Sequence, residues 1–156
     1  MIVVSDTSPL TALLTIGEVD LLFRLFGEVI VPEEVRNELE RSHSSLPARI
    51  RVEAVKLPAE VARLSQIVDR GEAEAIELAK ELHADRLLID ERKGRQLAQQ
   101  EGIPVIGLVG IVLLAKRQGL IPSARRFIER LEQESGIYLV AEVRDHALKS
   151  VGEGKP

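Results

Sequence analysis

Short runs of aliphatic, mostly β-branched residues alternate along this chain with segments of helical length, and many junctions carry a proline or glycine. Such runs predict buried strands, and the prolines and glycines mark where helices start and stop. We expect strands over residues 2–5, 29–31, 52–57, 86–89 and 104–106, and helices over residues 9–16, 19–26, 32–41, 58–68, 71–83, 91–100, 107–118 and 122–135. Residues 137–149 are ambiguous. Strands that alternate with helices predict an α/β fold with a parallel sheet covered on both faces.

The length of 156 residues fits one domain, and we expect it to cover residues 1–150, with a frayed C-terminal tail over residues 151–156. The chain has no cysteine, and its N-terminus lacks the basic segment of a signal peptide. The longest apolar run, residues 105–115, is far shorter than the ~20 residues of a membrane-spanning helix. We therefore expect a cytoplasmic protein without membrane contacts.

The net charge of −4 argues against non-specific binding to nucleic acid, which depends on lysine and arginine neutralising phosphates. Four aromatic residues are too few for a platform on which bases stack. Any nucleic-acid function must therefore be argued from a site.

Two aspartates follow predicted strands directly, at the edge of a parallel sheet where ligands collect. Ser8 before Pro9 suits the cap of the first helix, which leaves Asp6 without that role and favours a functional one. Asp90 lies directly before a helix, so capping and chemistry are equally consistent with its position.

Helical periodicity sorts the glutamates. On residues 71–83, Glu72 shares the apolar face, where an uncompensated charge is costly, so we predict a functional role for it. Glu74, Glu77 and Glu81 lie on the opposite face and are predicted to be solvated. On residues 32–41, Glu38 flanks the apolar stripe and is the better candidate, whereas Glu34 is predicted to be a surface charge.

Asp6, Glu38, Glu72 and Asp90, with Glu91 as an alternative last acid, form the candidate acidic cluster. Converging carboxylates repel one another unless a cation neutralises them, and oxygen-only ligands suit Mg²⁺ or Mn²⁺. Zinc is not expected, because three scattered histidines and no cysteine provide no zinc-ligand spacing.

Basic side chains follow Asp90 closely in sequence. Arg92, Lys93 and Arg95 are predicted to hold a substrate phosphate backbone, and Ser8 to hydrogen-bond substrate or carboxylates. A second basic group, around residues 125–130, is more typical of solvated surface.

Several segments in order resemble PIN domains. The sequence DTSPL at residues 6–10 resembles their opening, and VPEEVRNEL at residues 31–39 resembles their second motif. The segments at residues 71–79, 88–95, 107–120 and 152–153 resemble a prokaryotic PIN-like branch of unassigned function. The likeness spans nearly the whole chain.

This resemblance implies a three-layer α/β/α fold with a central parallel five-stranded sheet. It also implies Mg²⁺- or Mn²⁺-dependent endoribonuclease activity on an RNA substrate, a homodimer, and a toxin role beside a cognate antitoxin, as in VapC-type proteins. Asp6, Glu38 and Glu72 match the family's acidic positions. The last acid departs from the family pattern, because residues 89–91 read IDE without the usual Thr or Ser two residues before the acid. Either Asp90 or Glu91 occupies that position.

Two other functions are consistent with parts of the sequence. The acidic charge and the altered last motif suit a PIN-like binding module without nuclease activity. A phosphotransferase with Asp6 as nucleophile is less favoured, because residue 8 is not the second aspartate that such enzymes use for acid–base work.

Overall fold

A computed structural model describes residues 1–154 of the chain. Within this range the strands are β1 (Val3–Ser5), β2 (Val29–Val31), β3 (Ile50–Val52), β4 (Arg86–Leu88) and β5 (Val105–Ile106). The helices are α1 (Thr7–Thr15), α2 (Asp20–Phe26), α3 (Glu33–Ser42), α4 (Pro58–Leu64), α5 (Arg70–Glu81), α6 (Arg92–Gln100), α7 (Leu108–Arg117), α8 (Ala124–Ser135) and α9 (Ala141–Ser150).

The five strands form one all-parallel sheet in the order β3-β2-β1-β4-β5. The chain builds outward from β1 through β2 to β3, then returns to the other side of β1 for β4 and β5. The direction of winding therefore reverses between β1 and β4. In open parallel sheets, the crevice beyond the carboxyl ends of two such strands is where ligands bind.

Alternate residues of the strands face two separate hydrophobic clusters. Val29 and Val31 pack with α1, α2, α7 and α8 on one face, while Ile30 packs with α4, α5 and α6 on the other. Because neighbouring side chains of a strand point to opposite faces, both faces of the sheet must be covered. The predicted three-layer α/β/α fold is confirmed.

The segment predicted as a strand at residues 52–57 begins and ends earlier, at Ile50–Val52, where it pairs with β2. The backbone N–H groups of Lys56 and Leu57 donate to the carboxylate of Glu81 instead of to a neighbouring strand. These donors are therefore satisfied by a side chain, and the chain turns into α4. The ambiguous C-terminal segment forms α9 over residues 141–150.

The prediction that Glu74 and Glu77 are solvated is wrong. Helix α5 packs against β1 and β4 and also against α3, α4 and α6, so every residue from Gly71 to Ala79 is buried. Periodicity assumes one buried face, whereas α5 is surrounded. Glu74 is 5% exposed and accepts hydrogen bonds from the Glu34 N–H and from Arg70, while Glu77 is 0% exposed.

The predicted cap of the first helix is also wrong. Helix α1 begins at Thr7, so Asp6 occupies the N-cap position and Ser8 lies exposed in the first turn. The Asp6 side chain nevertheless makes no capping hydrogen bond. Its carboxylate is thus free of a capping role, as expected, although the reason differs from the one inferred from Ser8.

The segment predicted to be a frayed tail makes contacts in residues 151–154. The Glu153 carboxylate accepts hydrogen bonds from the Ala124 N–H at 2.7 Å, the Arg125 N–H at 3.1 Å and Ser123 Oγ at 3.0 Å. It therefore caps the N-terminus of α8. Residues 155–156 of the predicted tail lie outside the described residues. Along residues 1–154, no helix combines the length and apolar character needed to cross a membrane.

Candidate active site

The carboxyl ends of β1 and β4 lie side by side. Ser5 pairs with Leu88, and the Asp6 N–H donates to the Leu88 carbonyl at 2.9 Å. Asp6 is 4% exposed, at the point where the chain leaves β1 for α1. The sheet therefore brings Asp6 next to the segment that carries Asp90, although 84 residues separate them in sequence.

Helix α3 contributes Glu38 to the same edge. Its carboxylate accepts a hydrogen bond from Thr7 Oγ1, which follows Asp6 directly. Gly71 makes room for it, because a Cβ at residue 71 would lie only 2.7 Å from Glu38 Oε1. A larger residue there would push the carboxylate away from the start of α5.

Helix α5 contributes Glu72 in its first turn. The Glu72 N–H donates to Asp69 Oδ1 at 2.8 Å, and Asp69 is the N-cap of the helix. The Glu72 carboxylate reaches the start of α6, where a Cβ at Gly94 would lie 3.4 Å from Oε2. Glu72 is 9% exposed, so the sheet edge holds a second buried carboxylate.

Burial raises the pKa of Asp6 from its usual 3.8 to about 7, against the lowering effect of a backbone hydrogen bond from Thr7. The negative charges of Asp69, Glu38 and Asp90 raise the pKa further. Carboxylates from three other segments are therefore close enough to repel Asp6.

Glu72 experiences the same environment. Burial raises its pKa to about 7, and the charges of Asp69, Asp6 and Glu91 add to the effect. Within residues 1–154, no lysine or arginine forms an ion pair with Asp6, Glu38 or Glu72. We call the group Asp6, Glu38, Asp69, Glu72, Asp90 and Glu91 the acidic edge. Its negative charge is left for protons or for a cation that the chain does not supply.

Asp90 and Glu91 differ in their partners. Asp90 accepts the Leu108 N–H at 2.8 Å, so it caps α7. One interpretation of the sequence had Asp90 capping the helix directly after it, α6, which the structure does not show. Glu91 is the N-cap of α6 and accepts the Gly94 N–H at 2.8 Å. Desolvation raises the pKa of Asp90, while the Leu108 N–H and the charge of Arg95 oppose the shift. Each acid has a structural task in addition to its place at the edge.

The donor chemistry of the acidic edge fits a hard divalent cation. The side chains offer carboxylate oxygens only, which is the ligand set that Mg²⁺ and Mn²⁺ take. In residues 1–154, no three acidic or histidine side chains converge tightly enough to enclose an ion by themselves. Mg²⁺ commonly keeps several waters and binds through one or two carboxylates, so a pair of buried carboxylates is within the number of protein ligands that it takes.

The predicted substrate-binding residues are separated by the fold. Arg92 and Arg95 line a cavity of about 570 Å³ that Asp90 also lines, whereas Lys93 does not face it. The second basic group is engaged elsewhere: Arg125 donates to the Glu153 carbonyl, and Arg130 pairs with Glu18 and Glu134.

Two residues of the site were missed from the sequence. The charge of Asp69 acts on both Asp6 and Glu72, and Thr7 donates a hydrogen bond to Glu38. Asp69 could have been found, because an acid three residues before Glu72 is close to the capping-box pattern that begins a helix. Placing the helix start at Gly71 hid it. No local signal marks Thr7, because its partner lies 31 residues away.

Among curated proteins and among solved structures, no match to this chain is found. A family model described as a PIN domain matches residues 2–153, which is nearly the full length of the chain.

Proposed function

Because this chain belongs to the PIN domain family, and PIN domains are generally nucleases, we propose that it is a Mg²⁺- or Mn²⁺-dependent endoribonuclease that hydrolyses RNA phosphodiester bonds. The observation that carries the proposal is the pair Asp6 and Glu72. They are buried carboxylates from distant segments, the pKa of each is raised to about 7, and neither has a basic partner within residues 1–154. Two buried carboxylates without a basic partner lower the stability of the folded protein, and a bound ligand of opposite charge can compensate for that loss.

The proposal assigns each residue of the site a separate role. Asp6, Glu38 and Glu72 would hold the ion; Thr7 orients Glu38, and the Asp69 cap orients the first turn that carries Glu72. A divalent ion held there supplies a water of lowered pKa and positive charge for the leaving oxygen. Arg92, exposed at the mouth of the neighbouring cavity, binds a flanking phosphate.

The test is cleavage of a labelled RNA in Mn²⁺ by the wild type, Asp6→Asn and Asp20→Asn. Asp20 is an exposed aspartate at the start of α2, so it controls for loss of one negative charge. We expect Asp6→Asn to lose cleavage and Asp20→Asn to keep it. Equal cleavage by all three proteins points to a contaminant or to another site and contradicts the proposal.

A PIN-like binding module without catalysis is the second candidate, because Asp90 and Glu91 are already used as helix caps. The two candidates differ in metal binding: a catalytic site gains thermal stability with Mn²⁺, and a degenerate one does not. A toxin role with an antitoxin partner, and a homodimer, are part of the same proposal. Light scattering of the purified protein, alone and with the product of a neighbouring gene, tests both.

A further inference from the structure

A cavity lies between α6 and α7, beside the acidic edge. It measures about 570 Å³, which is within the range of small-molecule sites. Asp90 lines it and its charge also acts on Asp6, so the cavity adjoins the acidic edge through Asp90. A group seated in the cavity is therefore beside the acidic edge.

One wall of the cavity is a single face of α6. Arg92, Arg95, Gln96 and Gln99 line it, at the spacing of residues that share a helical face. Arg92 forms no ion pair within the described residues, and Arg95 donates to the Ile89 carbonyl at 3.2 Å. Two guanidinium groups suit phosphate oxygens, and two amides provide donors and acceptors for the edge of a base.

The cavity is also lined by aliphatic residues and by the start of α7, which lies close to Arg95 and Asp90. Val105, Ile106 and Val109 line it, with Val143 of α9 at one side. At Gly107 a Cβ would lie 2.5 Å from Arg95 Nη1 and 2.9 Å from Asp90 Oδ1, so glycine there lets α7 begin directly against both side chains. An aliphatic wall facing amides and arginines suits a flat, partly apolar group that carries a phosphate.

Two other cavities are not lined by any residue of the acidic edge. In the cavity of about 420 Å³ the arginine, Arg70, pairs with Glu74. The cavity of about 320 Å³ is lined by Arg24, Arg126 and Arg130, of which Arg130 pairs with Glu18. Of these three cavities, only the one beside Asp90 combines an arginine that forms no ion pair in the described residues with a residue of the acidic edge.

We propose that this cavity binds the RNA nucleotide next to the scissile phosphate, with the phosphate on Arg92 and Arg95 and the base between the α6 amides and the aliphatic wall. The proposal rests on the nuclease function above and deepens it, because it states which part of the substrate the chain grips. Lys93, one residue from Arg92 but outside the cavity, has no part in it.

The test measures binding without cleavage. All variants are made in the Asp6→Asn protein, and a fluorescein-labelled single-stranded RNA of about 12 nucleotides is titrated in Mg²⁺ by fluorescence anisotropy. Arg92→Gln is matched by Lys93→Gln, and Gln99→Trp, which fills the cavity, by Gln100→Trp, which does not line it. All four side chains are exposed, so melting temperatures should stay together.

We expect Arg92→Gln and Gln99→Trp each to weaken binding about fivefold or more, and both matched variants to stay within about twofold. Arg92→Gln should also reduce the slope of log K against log salt by about 0.7, the effect of one phosphate contact on a single strand. Equal losses for Arg92→Gln and Lys93→Gln indicate a diffuse basic surface and overturn the proposal, as does absence of RNA binding.

Failure of this inference and failure of the nuclease function give different results. If the cavity variants in an otherwise wild-type chain cleave RNA with unchanged KM, the cavity is not the nucleotide site although the enzyme is a nuclease. If the wild type never cleaves RNA but the cavity variants lose binding as expected, the nucleotide site stands and the catalytic function falls.

Discussion

Helix α5 carries two groups of carboxylates that are handled in opposite ways. At its start, Glu72 joins the acidic edge, where no lysine or arginine of residues 1–154 forms an ion pair with Asp6, Glu38 or Glu72. At its other end, Glu77 lies with Glu60 and Glu101 around Lys80 and Arg63, and Glu81 is next to Glu77; we call this group the paired cluster.

The paired cluster is neutralised from within. Lys80 Nζ lies 3.2 Å from Glu60 Oε1, 3.3 Å from Glu77 Oε1 and 3.0 Å from Glu101 Oε1. Hydrogen bonds from Arg63, and then from Lys80, hold the pKa of Glu60 and of Glu101 below the usual value. Glu77 is fully buried, and burial raises its pKa to about 7 even with Lys80 beside it.

The difference shows which carboxylates the fold compensates and which it leaves for something else. In the paired cluster, Glu60, Glu77 and Glu101 each lie within ion-pair distance of Lys80. Acids at the switch point between β1 and β4 are given helix N-termini, a threonine and glycines that make room, but no ion-paired base in residues 1–154. Because no basic side chain of the described residues pairs with these carboxylates at a ligand-binding crevice, a bound cation is favoured there.

Substitution of one glutamate in each group tests this contrast most strongly. We expect Glu72→Gln to reduce RNA cleavage on the order of 100-fold or more, because a lost metal ligand removes several kcal/mol of charge stabilisation. Glu81→Gln, on the same helix, should cleave at the wild-type rate. Initial rates in Mn²⁺ measure both, and comparable losses would show that the two groups are not functionally distinct.

Substitution of Lys80 should show how much the stability of the paired cluster depends on this lysine. At pH 8 we expect Lys80→Met to lower the free energy of unfolding by about 3 kcal/mol, because Glu77 is left buried and charged. At pH 5.5, Glu77 is protonated, since burial places its pKa at about 7, and the loss should be smaller. Urea denaturation at both pH values measures it, with exposed Lys93→Met as control. A loss that does not depend on pH contradicts this account.

Protons and metal should compete at the acidic edge. The folded-state pKa values of Asp6 and Glu72, each about 7, lie above their usual values of 3.8 and 4.5, so the folded protein binds more protons over that interval. Without metal, their contribution to stability is therefore greatest below pH 4 and is lost as the pH rises through 7.

The rise in melting temperature caused by Mn²⁺ should have the opposite pH dependence, because an ion binds the deprotonated carboxylates. At a hundredfold excess over Kd, the linkage amounts to about 2.7 kcal/mol, or about 5–10 °C in melting temperature for a chain of this size. Thermal melts at pH 5.5 and pH 8 should show a small and a large shift, respectively. A shift of equal size at both pH values, or in Asp6→Asn, points to a different metal site.

The smallest expected effect distinguishes the two candidates for the last acid. Glu91→Ala removes the α6 cap and should cost about 1 kcal/mol of stability, with cleavage reduced less than tenfold. The same measurements on Asp90→Ala should show the larger loss of cleavage, since Asp90 acts on Asp6 and lines the cavity. The reverse order would assign the catalytic position to Glu91.

Local patterns in the sequence were sufficient for the architecture. Short aliphatic runs predicted β1, β2, β4 and β5 to within two residues, because a short run bounded by polar residues, proline or glycine has few alternatives. The boundary of β3 was misplaced, because the N–H groups of Lys56 and Leu57 donate to the carboxylate of Glu81, 25 residues from Lys56, and not to a neighbouring strand. Such an acceptor cannot be assigned from neighbouring residues.

The sequence by itself determined the parallel α/β fold, the helical face of Glu72 and the place of Asp6 after a strand, because each depends on periodicity within a few residues. Only the tertiary structure decided which acids stay unpaired, that Glu74 and Glu77 are buried, and that Asp69 and Thr7 belong to the site. Those properties depend on which side chains meet across the sheet, and charge compensation falls off within a few ångströms while the partners lie tens of residues apart.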